Sequence, residues 1–446
     1  MVNNGKSSRE ADGTGYHGVD RRTFLKVTGA GAAGTALAGC LGDGNGNGNG
    51  NGNGNGDGGI PDTISLGALG PADSPMGDSI FKSAELAVSE INDNGGIAGA
   101  DVELSTKDTK DDPGTTRQVY QELTTGENVD LTLGIFGSEQ LLSIMGNIAN
   151  AEVPHLTVGS ATPAAPRRVA DDFEKNKYWF RVGPVNSVHL GELQIQFAVD
   201  KFEDMGWDKV AFLAEDYKWT EPITSTIKDE LESRADIEVT DVKRLSEGTE
   251  DFTPIYDELA EQNVDGAYTA LAHIGTTALV QWAKQQREFG FGGIHVPTQL
   301  PSFYEATEGA AISTFSQTTA TPNSEVTEKT VPYANAYEEE FDSFPVYTGY
   351  SAYDAVYIAK EAIESADSVG GSDLVPALED VSYTGTSGTI EFNGRDHEFP
   401  HDVRFGPDYA QGVYFQWQAN EEGEGEQRVL WPDRLADAEY QSPPWA

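Results

Sequence analysis

The sequence predicts an α/β protein in which two lobes of similar build face each other across a cleft. Three observations predict it. From Asp62 onward, short apolar runs alternate with longer stretches of helical apolar spacing. Glycine and proline punctuation separates them, and the whole alternation occurs in two successive blocks. Strand–helix–strand repetition of this kind builds a parallel sheet with helices on both faces.

The first block opens with a strand over Thr63 to Leu69, ended by Gly70-Pro71. Met76 to Asn94 then carries Ile80, Ala84, Ala87, Val88 and Ile91 at helical spacing, and Gly95-Gly96 stops it. Asp101 to Lys107 alternates as a strand, Pro113 to Thr125 is helical, and Asp130 to Phe136 is a strand. Glu139 to Asn150 gives a helix and Pro154 to Val158 another strand. The second block repeats these units. Strands at Lys209 to Ala214, Ile237 to Val242 and Gly266 to Ala270 alternate with helices at Glu221 to Ser233, Thr253 to Gln262 and Thr276 to Phe289. Ligands of open α/β sheets sit at the carboxyl ends of strands, where helix N-termini point.

The first sixty residues fall outside this pattern. Asp20-Arg21-Arg22-Thr23-Phe24-Leu25-Lys26 resembles a twin-arginine export signal and precedes a small-residue apolar stretch from Val27 to Gly39. That stretch is far short of the ~20 apolar residues of a spanning helix. It ends Leu37-Ala38-Gly39-Cys40, which looks like a lipobox, so residues 1–39 are expected to be a cleaved signal and Cys40 a lipidated anchor. Cys40 is the only cysteine, which excludes an internal disulfide. Asp43 to Gly59 is almost pure Asn-Gly, a flexible tether that completes the 40–60 segment. This order places the body just outside the membrane.

Composition narrows the function classes. The 446-residue chain holds 73 Asp+Glu against 29 Lys+Arg, a formal net charge of -44. Nucleic-acid binding rests on basic side chains neutralising phosphate, so that class is excluded. A hydrophobic content of 38% separates the chain from acidic disordered proteins. The acidity suits a salty medium, where dissolved ions screen self-repulsion, as in a halophilic microbe.

Two motifs fail on context. Gly29-Ala30-Gly31-Ala32-Ala33-Gly34 matches a dinucleotide fingerprint, but it lies in the leader rather than in a strand–turn–helix unit. His397-Glu398-Phe399-Pro400-His401 matches a zinc-protease pattern that requires a helix, and Pro400 opposes one. No nucleophile elbow, phosphate-binding loop or Cys/His cluster accompanies them. No catalysis, metal or cofactor is expected.

The informative loops are strand tips. Gly137-Ser138 follows the Asp130 to Phe136 strand, with Ser138 placed to cap the next helix beside free backbone N–H groups. The adjacent tip, Gly159-Ser160-Ala161-Thr162, offers two more hydroxyls. Together they suit an anionic or carbonyl group.

Several segments recur in a known order. They are Gly70-Pro71 then Gly77, Ile91-Asn92 with Gly95-Gly96-Ile97, and Asp108 with Asp111-Asp112-Pro113. Gly137-Ser138, Ser160-Ala161-Thr162-Pro163, Asp251-Phe252-Thr253-Pro254 and Tyr353-Asp354-Ala355 follow. From about Ile64 to Trp417 the chain thereby resembles type I periplasmic binding proteins of the branched-chain amino acid class, which contains the leucine/isoleucine/valine-binding protein.

The resemblance implies two Rossmann-like lobes joined by three hinge crossings, near Gly183, Phe315 and Gly406. One lobe then holds residues 61–183 and 316–406, the other 184–315 and 407–446. It implies that Ser138, Ser160 and Thr162 hold a ligand carboxylate, with Ala161 and Met76 in the same set, and that Trp219 covers the ligand from the second lobe. The tyrosine that amino acid binders carry is absent from Ala270 to His273, and the acid for a ligand ammonium falls near Gln299. Asp216 or Glu215 must then supply the charge, or the solute is an amide, a urea-like molecule or a carboxylate without an amine. The implied role is a monomeric, extracellular solute-binding component of an ABC importer, with permease subunits as partners. A sensor of the same fold is the rival from another class.

Overall fold

The computed structural model describes residues 59–446. The export signal, Cys40 and nearly all of the Asn-Gly tether lie outside the described residues. Chain order begins with β1 (Thr63–Gly70), α1 (Pro75–Asp93), β2 (Asp101–Asp108), α2 (Pro113–Gln121), β3 (Leu131–Gly134) and α3 (Ser138–Ala151). β4 (His155–Thr157), α4 (Ala164–Asp171), α5 (Phe173–Asn176) and β5 (Trp179–Arg181) complete a five-stranded parallel sheet in the order β2-β1-β3-β4-β5. β1 reads TISLGALG and is buried along most of its length, as a strand covered on both faces must be.

The second sheet follows with α6 (Ser187–Met205), β6 (Lys209–Glu215), α7 (Glu221–Arg234), β7 (Glu238–Leu245), α8 (Thr253–Gln262) and β8 (Gly266–Leu271). Next come α9 (Gly275–Lys284), β9 (Gly290–His295), α10 (Phe303–Ala306) and β10 (Phe315–Thr318). The chain returns to the first lobe through α11 (Thr330–Phe341), α12 (Tyr347–Ala366), α13 (Gly371–Glu379) and the hairpin β11 (Ser382–Thr384) and β12 (Thr389–Glu391). It ends in β13 (Val413–Ala419), antiparallel to β10, and β14 (Gly425–Trp431), antiparallel to β13. The second sheet is ordered β14-β13-β10-β9-β8-β6-β7.

Both lobes therefore share one winding. β1 is flanked by β2 and β3 as β6 is flanked by β7 and β8, so strand order reverses at β1/β3 and at β6/β8. Ligand sites of doubly wound sheets lie at such points.

The crossings differ from expectation in two places. β10 pairs with β9 and β13, so Ser316, Gln317 and Thr318 belong to the second lobe rather than the first, and the passage is 319–329. Phe405 bridges Ala410, which keeps the chain beyond Gly406 with the first lobe until β13 begins at Val413. Gly183 lies in the remaining passage, 182–186, where Ser351 crowds it: a Cβ would meet the Ser351 hydroxyl at 2.4 Å.

Packing explains part of the recurring segments. α1 packs on α12, and Thr348 donates to the Met76 carbonyl at 2.7 Å. Asp354, fully buried in α12, accepts bonds from the backbone and hydroxyls of Thr386 and Ser387 and so anchors the β11–β12 turn. A buried ion pair sits beside the hinge. Arg181 Nη1 meets both carboxylate oxygens of Asp402 at 3.1 and 2.9 Å, and Asn186, which caps α6, donates to the same carboxylate. Among the described residues no helix is long and apolar enough to cross a membrane.

Candidate functional site: a cleft between the lobes

A cavity of about 320 Å³ opens between the tips of β3 and β4 on one side and β6, β8 and β9 on the other. The first-lobe wall starts with strained backbone. β3 stops at Gly134, whose φ of 124° lets it pass Leu69, and Ile135 takes φ 70°, unusual for a β-branched residue. That turn directs the Ile135 carbonyl to the Ser160 N–H at 3.1 Å and draws the two tips together. The strand expected to run to Phe136 ends two residues early for this reason.

Ser138 does not cap the helix. Gly137 occupies the cap, without a side-chain bond, and Ser138 is the first residue of α3. A Cβ at Gly137 would sit 1.9 Å from Gln140 Oε1 and would displace that side chain. First-turn N–H groups have no intrahelical acceptor, so this end of α3 remains a donor surface. The Ser138 hydroxyl lines the cleft and lies 3.2 Å from that of Ser160, which is buried just beneath. Ala161 lines the cleft, and its carbonyl accepts from Ser187 at the start of α6.

Thr162 and Met76 take other roles. Neither borders the cavity. The Thr162 hydroxyl accepts from Ala164 N–H at the start of α4, and its carbonyl accepts from Arg181 at 2.5 Å. Met76 is buried near the start of α1.

The second-lobe wall is organised around Glu215, at the end of β6 and fully buried. It accepts from Trp219 Nε1 at 2.8 Å, Ala272 N–H at 2.9 Å and His273 N–H at 2.7 Å, and His273 Nδ1 lies 2.9 Å away. Burial alone would push its carboxyl up. The His273 bond and charge and the two backbone donors outweigh that and hold it below its ordinary value. Burial pulls His273 down in turn, yet the bond and charge of Glu215, aided by Asp111 and Glu247, leave it raised. Tyr217 stacks on His273 with centroids 4.2 Å apart and planes 7° apart, and Phe136 approaches the imidazole from the first lobe at 6.0 Å.

Of the expected second-lobe residues, Trp219 and Gln299 border the cavity. Gln299 donates to the Gln317 carbonyl at 3.1 Å, and its Oε1 has no partner. Asp216 is displaced from the cleft: it faces solvent and pairs with Arg244 at 2.5 Å. Glu215, the alternative charge, stands behind the wall with both oxygens engaged. The acids that do reach the cleft, Asp111, Glu139 and Glu247, were not given a site role from sequence, nor were Tyr217 and His273. Asp111 and Tyr217 each follow a strand tip, the one signal that could have found them. The second lobe thus presents a tyrosine after all, from β6 instead of β8.

The zinc-protease motif is not a site. His401 is buried, stacked on Phe180 at 4.0 Å, with Nε2 2.9 Å from Glu379. Glu398 pairs at the surface with Arg167, and the segment is a turn without helix. Among the described residues no group of His, Cys, Asp and Glu is arranged to hold a metal.

Comparison with known proteins agrees with this geometry. Among curated proteins, none matches the sequence. A putative branched-chain amino acid ABC transporter protein from Silicibacter pomeroyi superposes with TM-score 0.73 at 18% identity, covering 86% of this chain and 100% of that one. The LivJ substrate-binding protein of Streptococcus pneumoniae, solved with isoleucine, gives 0.67 at 18%, covering 83% and 100%. A solute-binding protein of Rhodopseudomonas palustris, solved with 3,4-dihydroxybenzoic acid, gives 0.68 at 17%, covering 86% and 99%. The sequence profile of the periplasmic binding protein family matches residues 63–420, both lobes and the cleft between them, and the chain belongs to that family.

Proposed function

We propose that this protein is the solute-binding component of an ABC importer, capturing an amino acid or a similar small polar solute between its lobes. The carrying observation is the first-lobe wall, where the open first turn of α3 and the Ser138 hydroxyl, with the Ser160 hydroxyl 3.2 Å beneath it, border a cavity of about 320 Å³. These donors suit a carboxylate or carbonyl group. Support comes from the likeness to proteins solved with isoleucine and with a dihydroxybenzoic acid, both of which carry a carboxyl group.

In this reading the protein works as a monomer outside the cell, held by lipid on Cys40, and hands its solute to permease subunits. Cys40→Ser releases it from the membrane fraction; retention there overturns the anchor.

Thermal melting of the full-length protein in molar salt, against amino acids, amides, urea and small carboxylates, tests the role. A solute that binds only the folded state raises the melting temperature by mass action. Ser138→Ala removes that rise while changing unliganded stability by about 1 kcal/mol or less. No rise with any solute, in protein shown to be folded, counts against solute capture.

A further inference from the structure

We infer that α6 is a strut shared by the two lobes and that Gly191, inside it, is where the helix flexes as they rotate against each other, which rests on the solute-binding reading above only in taking the lobes to move.

The partners of α6 change sides at one point. Its first turn is fastened to the first lobe. Ser187 N–H donates to the Ala161 carbonyl at 2.7 Å, and Asn186, the cap, donates to the Asp402 carboxylate at 2.9 Å. His189 stacks on Phe405 with centroids 4.7 Å apart and planes 12° apart. From Glu192 onward the partners lie in the second lobe. Glu192 pairs with Arg234 of α7 at 2.6 Å, and Gln194 donates to the Thr269 carbonyl of β8 at 2.9 Å. Phe197 stacks on Tyr414 of β13 with centroids 4.0 Å apart. Leu190 and Gly191 stand between the two sets.

The passage that leads into the helix is pinned. Arg181 before it and Asn186 at its end are both bonded to the buried Asp402 carboxylate, and Ser351 crowds Gly183 within it. A rotation of the lobes on this side of the molecule therefore passes to α6.

Gly191 is suited to absorb it. Glycine inside a helix costs stability relative to alanine and widens the range of backbone geometry. The other buried glycines of helices are kept for want of space. A Cβ at Gly77, Gly275 or Gly349 would sit 2.1 Å from the Pro71 carbonyl oxygen, 2.7 Å from His295 Nε2 or 2.3 Å from Ser79 Oγ. At Gly191 the nearest atoms, those of Ile223, would lie 3.7 Å away, an ordinary contact, and the backbone there is helical. Neither space nor backbone conformation calls for glycine at this position. Freedom to bend is the property that remains, and it falls where the helix passes from one lobe to the other.

Lobe separation measured without any solute tests this. In full-length protein, Cys40→Ser removes the only cysteine, and Arg117→Cys in α2 and Ser225→Cys in α7 place one spin label on an exposed position of each lobe. The expected distance distribution is broad with Gly191 in place and narrower in Gly191→Ala. Amide exchange over Glu192 to Ile195, whose helical bonds span the glycine, should slow about two- to fivefold in that variant. His189→Ala added to Gly191→Ala frees the first turn and should broaden the distribution again. Gly146→Ala is the control, since that exposed glycine lies in α3, within the first lobe, with no atom within 4 Å of a Cβ. It should stabilise its helix and leave the distribution as it was. A distribution unchanged by Gly191→Ala although exchange has slowed overturns the inference. So do equal narrowing by Gly146→Ala and a single narrow separation with Gly191 in place. None of these results bears on solute capture, which the melting screen decides separately.

Discussion

The two walls of the cleft are built on opposite principles. The first-lobe wall, from Gly137 to Ala161, leaves donors open: a glycine cap with no side chain and two hydroxyls that reach only each other. The second-lobe wall is closed upon itself, with Glu215 accepting from Trp219, Ala272 and His273 and Tyr217 stacked outside. Both occupy the same position in the same winding, beside the strand reversal of a doubly wound sheet. Topology therefore assigns the place of a site but not its manner of binding. An open wall offers its polar groups to the solute. Around Glu215 the second wall offers shape and field, because those polar groups are spent on holding its own aromatic surface, and Gln299 Oε1 remains its open acceptor.

The largest test of this contrast is Glu215 against its neighbour. Glu215→Ala leaves an indole N–H, two backbone N–H groups and an imidazole without their acceptor, and costs about 3–5 kcal/mol in urea unfolding. Asp216→Asn removes an exposed partner of Arg244 and changes stability by about 0.5 kcal/mol or less. Comparable costs at the two positions would break the contrast.

The pH dependence of stability gives a smaller effect than Glu215→Ala and sharpens the picture. His155 is pushed down by burial to about 3 and His295, also by burial, to about 4. His189 is pushed to about 4 by burial and then Arg181. Groups that stay neutral when folded but protonate when unfolded lose stability as pH falls below the ordinary imidazole value. His273 has the opposite sign. Its raised value contributes stability that is full below the ordinary value and is lost as pH rises through the raised one. Thermal melts from about pH 5 to about pH 9 should pass through a maximum, and His273→Asn should flatten the alkaline limb while leaving the acid limb. An alkaline limb unchanged in that variant would show that the Glu215–His273 pair does not hold the second wall.

Much of the fold was legible because periodicity is a local property. The apolar spacing of Ile80, Ala84, Ala87 and Ile91 marks α1, and the continuous apolar character of β1 marks a strand covered on both faces. Boundaries at the tips were less legible. β3 ends at Gly134 and not Phe136 because Ile135 is turned into the left-handed region to meet Ser160, a constraint from the neighbouring strand. Phe315 marked a crossing in the sequence, yet pairing with β9 and β13 keeps the chain in the second sheet to Thr318.

The candidate site divides the same way. Ser138 and Ala161 were named from the local signature of a small-residue strand tip before a helix, Trp219 and Gln299 from the family resemblance, and all four border the cavity. Thr162 looked alike in sequence, yet its hydroxyl accepts from Ala164 N–H and its carbonyl from Arg181, nineteen positions on. Asp216 and Glu215 are adjacent, and β6 ends between them, leaving Glu215 in the interior and Asp216 in solvent with Arg244.

By itself, the sequence determined the strand and helix order of two α/β blocks, the acidic character and the hydroxyl-bearing tips, since each depends on neighbours a few residues apart. Only the tertiary structure decided which charges meet. Asp111, Glu139, Glu247 and His273 lie far apart along the chain and come together because two sheets wound alike present their strand tips to one cavity. Coulombic interaction depends on distance in space, and distance in space is what the chain order does not contain.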